Sequence, residues 1–470
     1  MFALLTIFFL QFADKAGSDV VCLSPTAIEM REKRGITIDS LDYAVSPVYL
    51  DSVKCLGATV LHSSRWMNGA TIEANSQTIE TIAQCQFVDT IYTTRLSNDS
   101  STIHSVSLRK NEASFSDNMF VSNTNEQLQL LNLLPLHHTG FKGQGIRIGI
   151  ADGGFYHADS LASLPREQWI GYADFTDCQH DIFSQEGNHG TLCLSAIMGQ
   201  KSNYQGAATQ AQYFLFRTEE HYTESPKELD NWIAAIEMAD SLGLHIVSTS
   251  LGYTSFDDEQ FNFTYYDMDG KRTRGAQAAA IAARKGMLLV VAMGNDGARA
   301  WHYLSTPADA DSILSVGAVN CEGQIANFSS YGPSVDGRVK PEVCAVGEGT
   351  SLINPANDVV ISSNGTSFAC PLIAGMAACL WSALPEASNM EIREMIIHSC
   401  DRYSQPLEQY GYGIPNAWEA YTVATTDCHN TLRPTPATKI IQKGQIYILH
   451  NGEKYNLLGN KIECEEIYTK

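Results

Sequence analysis

Hydrophobic and polar positions follow three different patterns along this chain. It opens on an apolar run from Phe2 to Leu10, interrupted only by Thr6 and ending near Ala13 and Ala16. A run of that length matches the apolar core of an export signal and is too short to span a bilayer. The pattern predicts a signal-like segment over residues 1–17, although the basic residues that normally precede such a core are missing. A buried first strand or helix is the other reading. Residues 23–96 then mix short elements into a small α+β domain. Ala58–Leu61 and Gly69–Glu73 read as strands and Ser76–Gln84 as a helix. Residues 97–124 are rich in Ser, Asn, Asp and Thr, which is linker composition.

From Gly145 the pattern changes to continuous apolar runs alternating with helical segments. Ile146–Ile150, Tyr213–Phe216, His245–Ser248 and Met287–Ala292 read as buried strands, with helices at Glu228–Ser241 and Gly275–Lys285 between them. This alternation predicts a parallel sheet covered on both faces, a domain over residues 125–428. Functional groups in such sheets collect at the carboxyl ends of the strands. Beyond a Pro-containing link at Arg433–Pro436, Gln445–Leu449 and Lys454–Leu458 flank Asn451-Gly452, a hairpin signal in a separate tail over residues 429–470. No internal repeat is evident.

A length of 470 residues agrees with two or three domains, and 44% hydrophobic residues exclude a disordered chain. The net charge of −21 lies almost wholly in residues 111–428, which carry 16 basic and 37 acidic side chains. So acidic a surface repels phosphate backbones and excludes nucleic acid as a partner. The twelve cysteines allow a few disulfides in an exported chain. Cys193, Cys344, Cys370 and Cys379, however, sit in apolar or small-residue runs, where cysteine packs as a small hydrophobe.

Three segments carry candidate chemistry. Asp152 ends a buried strand before Gly153-Gly154. His189, in Asn188-His189-Gly190-Thr191, opens a helix of small residues. Ser367, in Asn364-Gly365-Thr366-Ser367-Phe368-Ala369-Cys370-Pro371, opens another. Singly, each is an ordinary turn or helix start. Together they follow the order Asp, His, Ser, one of the chain orders in which the nucleophilic triad occurs. A serine alcohol needs a histidine to take its proton, and the histidine needs a carboxylate to fix its tautomer and stabilise the imidazolium. A fourth segment, Ala292-Met293-Gly294-Asn295, follows a buried strand. The Asn295 amide there can donate to the oxyanion of a tetrahedral intermediate.

These four segments closely resemble the subtilisin-like serine proteases over about residues 125–428. The resemblance implies a three-layer α/β sandwich with a mainly parallel seven-stranded sheet, a triad of Asp152, His189 and Ser367, and Asn295 as oxyanion donor. It implies that Ser250, Leu251 and Gly252 pair with extended substrate, and that with Ala292, Met293 and Gly294 they wall the primary specificity pocket. Three positions depart from the commoner pattern: Gly153 after the Asp, Phe368 in place of Met, and Cys193, which resembles the cysteine of the proteinase K branch and is expected to be structural. Residues 23–96 and the tail resemble parts of exported Bacteroidetes-type subtilases. In that family such an N-terminal unit is a propeptide that assists folding, blocks the cleft and is cut away. Here the cut is expected within Leu108–Gln127.

The resulting expectation is a bacterial serine endopeptidase, secreted, periplasmic or cell-surface, with no transmembrane segment in its mature form. Its partners would be a protein or peptide substrate and its own N-terminal domain as intramolecular inhibitor. The chemistry requires no cofactor and no metal ligands are assigned. Subtilases often bind calcium, but the nearest candidate, Asp267-Met268-Asp269-Gly270, lacks a full ligand loop. Asp177-Cys178-Gln179-His180-Asp181 has no second cluster with which to hold zinc. Glu219 and Glu220 are either a subsite for basic substrate side chains or a solvated acidic rim. Two alternatives use the same residues: an inactive subtilase fold used for binding, and acyl transfer to an amine.

Overall fold

The computed structural model describes residues 5–15, 19–95, 124–176, 181–184 and 187–427, with short strands between 438 and 462. Nearly all of the expected linker, and the Pro-containing link, lie outside the described residues. The N-terminal unit runs β1 (Thr6–Phe12), α1 (Pro25–Arg34), α2 (Pro47–Cys55), β2 (Thr59–Ser64), β3 (Gly69–Ala74), α3 (Ser76–Ile82) and β4 (Val88–Arg95). Its four strands pair antiparallel in the order β2-β3-β1-β4.

This corrects the signal-like reading of residues 1–17. From Thr6 the apolar run is part of β1, an interior strand hydrogen-bonded on both sides. Phe8, Leu10 and Phe12 join Val53, Ile72 and Ile82 in the core of the unit, while Phe9 packs into the core of the larger domain. Both faces of the strand are buried, so its sequence lacks the polar alternation that marks a half-exposed strand.

The larger domain begins with α4 (Thr124–Leu130) and α5 (Leu134–His138), followed by β5 (Arg147–Asp152), β6 (Trp169–Asp174) and α6 (His189–Met198). A small ladder, β7 (Gln200–Lys201) with β8 (Tyr204–Gln205), precedes β9 (Gln212–Arg217), α7 (Pro226–Leu242), β10 (Ile246–Thr249), α8 (Arg274–Arg284) and β11 (Leu288–Ala292). Then come β12 (Leu314–Val319), β13 (Val343–Val346), the hairpin β14 (Thr350–Ile353) and β15 (Val360–Ser363), α9 (Thr366–Ala383), α10 (Asn389–His398) and α11 (Ala417–Asp427). Seven strands form one sheet in the order β13-β12-β11-β10-β5-β9-β6, with every pairing parallel. Helices α6 and α9 pack together against one part of the sheet, while α7 and α8 form a second pair. The expected parallel sheet covered by helices is present. Strand order reverses between β5 and β10, which opens a crevice at their carboxyl ends.

Helix α9 is the one described helix long and apolar enough to cross a membrane, yet 89% of its apolar window is buried in this core. The nine described cysteines are all free.

The N-terminal sheet and α1 rest on α7 and its neighbours. Charged side chains cross this interface. Arg31 forks onto Asp240 at 2.7 and 2.8 Å, Arg65 reaches Asp240 at 2.7 Å, and Lys285 reaches both Asp39 and Asp42 at 2.8 Å. The tail is a unit of its own, an antiparallel meander of β16 (Thr438–Gln442), β17 (Gln445–His450), β18 (Glu453–Tyr455) and β19 (Lys461–Ile462). The expected hairpin is β17–β18, with His450 paired to Glu453; the Asn451-Gly452 turn lies outside the described residues.

Candidate active site

Strand β5 is buried from Ile148 onward and ends at Asp152, which exposes none of its surface. A carboxylate there is tolerable only if bonded. Its Oδ1 accepts the Gly153 N–H at 2.8 Å, and His189 Nδ1 lies 2.9 Å from Oδ1 and 3.0 Å from Oδ2. An ionised carboxylate only accepts, so in the neutral ring Nδ1 carries the proton and Nε2 keeps its lone pair. His189 is the first residue of α6, a helix buried from Gly190 to Met198. A Cβ at Gly190 would stand 2.4 Å from Gly154 O and 2.9 Å from the Asp152 Cβ. Glycine at that position is what lets the helix start against the strand end. Burial disfavours the charged imidazolium, but Asp152 beside it wins, and the His189 pKa stands well above its ordinary 6.5.

Ser367 is the second residue of α9 and is buried. The first turn of α9 carries the positive end of the helix dipole at Ser367, where the Thr366 N–H goes to Asn295 and the Phe368 N–H to Gly365 O. The hydroxyl donates to Ser250 O at 3.3 Å, a long bond that leaves it ready to turn. Pro371, four residues on, has no N–H to give back to the Ser367 carbonyl. That carbonyl accepts instead from Ser250 Oγ at 2.7 Å and from Cys193 Sγ at 3.4 Å. The Cys193 sulfur also lies 3.8 Å from His189 Nδ1, and the His189 and Phe368 rings are 5.7 Å apart. One thiol thus touches both the histidine and the backbone of the serine. Burial pushes the Cys193 thiol up, which keeps it neutral and unreactive.

Asn295 follows β11. Its Oδ1 accepts from Thr366 N at 2.9 Å and Thr366 Oγ1 at 3.0 Å. Because the Thr366 N–H can only donate, the amide oxygen must face it, and the two amide hydrogens point the other way.

Ser250, Leu251 and Gly252 follow β10, while Ala292, Met293 and Gly294 run from the end of β11. Met293 is wholly buried and its N–H donates to Val316 O at 3.0 Å. A residue missed by sequence reasoning sits between the two segments. Ser305 Oγ would be 2.0 Å from a Cβ at Gly252 and 3.7 Å from one at Gly294. It is buried and has no hydrogen-bond partner. Nothing in Leu304-Ser305-Thr306 distinguishes it from an ordinary loop.

The two acidic candidates part company. Glu219 is buried, accepting from Tyr253 Oη at 2.7 Å and Thr218 Oγ1 at 3.0 Å, so it is not part of a solvated rim. Glu220 binds Lys227 at 2.6 Å and Arg95 of the N-terminal unit at 2.8 Å. Asp267 accepts from Thr264, and Asp269 from the Lys271 and Arg272 backbones. Those bonds make Asp267–Gly270 a turn. Residues 177–180 lie outside the described residues.

Residues 143–413, more than half of the chain, match the model of the subtilase family, peptidase S8. The chain is a subtilase. Residues 8–110 of this subtilase match the propeptide domain of S8 peptidases from Bacteroidota, a match that starts inside β1 and takes in Phe8–Leu10, the end of the apolar run. Among relatives, the thermostable alkaline protease of Halalkalibacterium halodurans is 28% identical over 295 residues, 62% of this chain and 72% of that protein. Subtilisin BL of Lederbergia lenta is 27% identical over 284 residues, 60% of this chain and 92% of that protein. The crystal structure of MycP1, from the ESX-1 type VII secretion system, shares the fold with a TM-score of 0.52 and 20% identity, over 66% of this chain and 88% of that one. The subtilase is a serine protease with a propeptide domain.

Proposed function

We propose that this subtilase is an exported endopeptidase in which Ser367 forms the acyl-enzyme, His189 moves the proton, Asp152 holds His189, and Asn295 stabilises the oxyanion. The observation that carries the reading is the bonded Asp152–His189 pair standing against the first turn of α9, with Cys193 in contact with both His189 and the Ser367 carbonyl. In the Michaelis complex the Ser367 hydroxyl turns from Ser250 O to Nε2, a tightening common on substrate binding. As Oγ attacks the peptide carbonyl carbon, its proton passes to Nε2. The C–N bond then breaks as Nε2 protonates the departing amine. Water repeats the sequence to release the acid and restore Ser367. The Asn295 amide hydrogens and the Ser367 N–H meet the negative oxygen. No cofactor enters these steps.

The N-terminal unit is proposed to inhibit the enzyme until it is cut away. The sequence window for that cut is Leu108–Gln127. Gln127 is buried and accepts from Ser351 N at 2.9 Å, so the cut falls before α4. Recovery of active enzyme with Thr26–Val88 still covalently attached would rule out this maturation.

A fluorophosphonate probe tests the chemistry. The expected result is labelling at Ser367, absent in Ser367→Ala and strongly suppressed in His189→Ala. A folded chain that neither takes up the probe nor cleaves a mixed peptide library would be a binding protein instead. Added amine, with peptide products analysed by mass, separates hydrolysis from transfer.

A further inference from the structure

Glu220 lies at the same end of the sheet as the triad. β9 pairs with β5 so that Arg217 stands opposite Asp152, and Thr218 N–H donates to Asp152 O at 3.0 Å. Glu220 follows three residues after Arg217. Its neighbour Glu219 accepts at 2.7 Å from the hydroxyl of Tyr253, the residue that directly follows the proposed substrate-pairing segment. An extended peptide lying along Ser250–Gly252 therefore passes beside this loop.

The N-terminal unit already puts a cation there. Arg95, the last residue of β4, sets Nη1 2.8 Å from Glu220 Oε2, with the two side chains 25% and 13% exposed. The other oxygen, Oε1, is held by Lys227, whose side chain is fully buried. Oε1 is thus held by a buried lysine, while Oε2 takes the Arg95 guanidinium and, at 3.2 Å, the Thr223 hydroxyl. Removing the N-terminal unit takes that guanidinium away and leaves Oε2 without its cation. Partly buried charge partners of this kind discriminate far better than exposed ones.

We propose that Glu220 is a specificity residue, selecting peptide substrates that bring an Arg or Lys side chain to the place Arg95 occupies. The inference rests on the protease reading above and adds a substrate class to it. Glu219, buried and bonded elsewhere, takes no part.

The test uses the purified active enzyme and quenched-fluorescence peptides in which Arg replaces Gln at each position in turn around the scissile bond. At one position kcat/KM is expected to rise about ten-fold with Arg, carried mostly by KM. In Glu220→Gln that ratio falls close to one, and in Glu220→Lys a Glu at the same position is preferred to Arg. Glu220→Asp, which keeps a charge for Lys227, retains a reduced preference for Arg and serves as the variant of record if Glu220→Gln does not fold. An enzyme that cleaves the set with no cationic preference, or whose preference is untouched in all three variants, overturns the inference and leaves the protease standing. Failure to cleave any peptide, together with no probe label on Ser367, overturns both.

Discussion

At the scale of the residue, the site turns on one proton. His189 must be neutral to accept from Ser367, and Asp152 holds its pKa well above 6.5. The kcat/KM profile is therefore expected to rise with pH through an apparent pKa above 6.5, the limb on which His189 loses its proton. Asp152→Asn removes the charge that raises this pKa, so the limb should move to lower pH while turnover falls about 10⁴-fold from loss of the tautomer. A pH series on both enzymes checks this, and a wild-type limb below 6 would refute it. Asp152, His189 and Ser367, the proposed triad, stand out in the sequence because each lies in a short motif with chemistry of its own. Ser305 and the shared Cys193 contact do not, since both depend on backbone brought together from distant segments. Glu219 and Glu220 look equivalent in sequence. Only the fold separates the one bonded to Tyr253 from the one facing Arg95.

At the scale of the element, α9 is shaped by its proline. Pro371 frees the Ser367 carbonyl, and Ser250 Oγ fills the vacancy. Ser250→Ala should cost about 1 kcal/mol for the lost bond to a buried carbonyl. Pro371→Ala supplies a backbone N–H for the same acceptor, so the double variant should recover most of that loss. The expected coupling is about 1 kcal/mol in a double-mutant cycle measured by denaturant unfolding on a Ser367→Ala background, which prevents self-digestion. Strict additivity would show that the proline does not act through this carbonyl. Elements also mark where sequence pattern succeeds and stops. β5, β9, β10 and β11 are interior strands with mainly apolar, largely buried runs, and each is found where its run predicts. β1 has the same kind of run for the same reason, burial on both faces, but its position at the start of the chain mimics an export signal. β6, an edge strand, alternates half-buried and exposed residues, a weaker pattern that its glycine dilutes further.

At the scale of the whole molecule, the docked N-terminal unit buries charges whose titrations pull in opposite directions. Asp230 lies under Phe9 and Thr71 of that unit; burial, partly offset by Arg274 beside it, raises its pKa from 3.8 to about 6. Glu237, covered by Ser64 and Arg65, is likewise raised, because burial outweighs its partners. Both groups hold protons more tightly when docked than when exposed. The Asp230 contribution is present below about pH 4 and is lost as pH rises through about 6, to a limit of about 3 kcal/mol, and that of Glu237 is lost in the same direction. Asp39 and Asp42 act the other way. Lys285, with Arg31 nearby, outweighs burial and lowers their pKa, so their contribution is lost only as pH falls below about 4. Docking should therefore be tightest near pH 4–5 and weaken by pH 7.5, the direction in which His189 becomes competent. Amide exchange of α7 and α8 in the Ser367→Ala chain checks this. After correction for the intrinsic rate, protection should be lower at pH 7.5 than at pH 5, and Asp230→Asn should flatten the difference. Equal or greater protection at pH 7.5 would mean that the ion pairs of Arg31, Arg65 and Lys285 alone govern release.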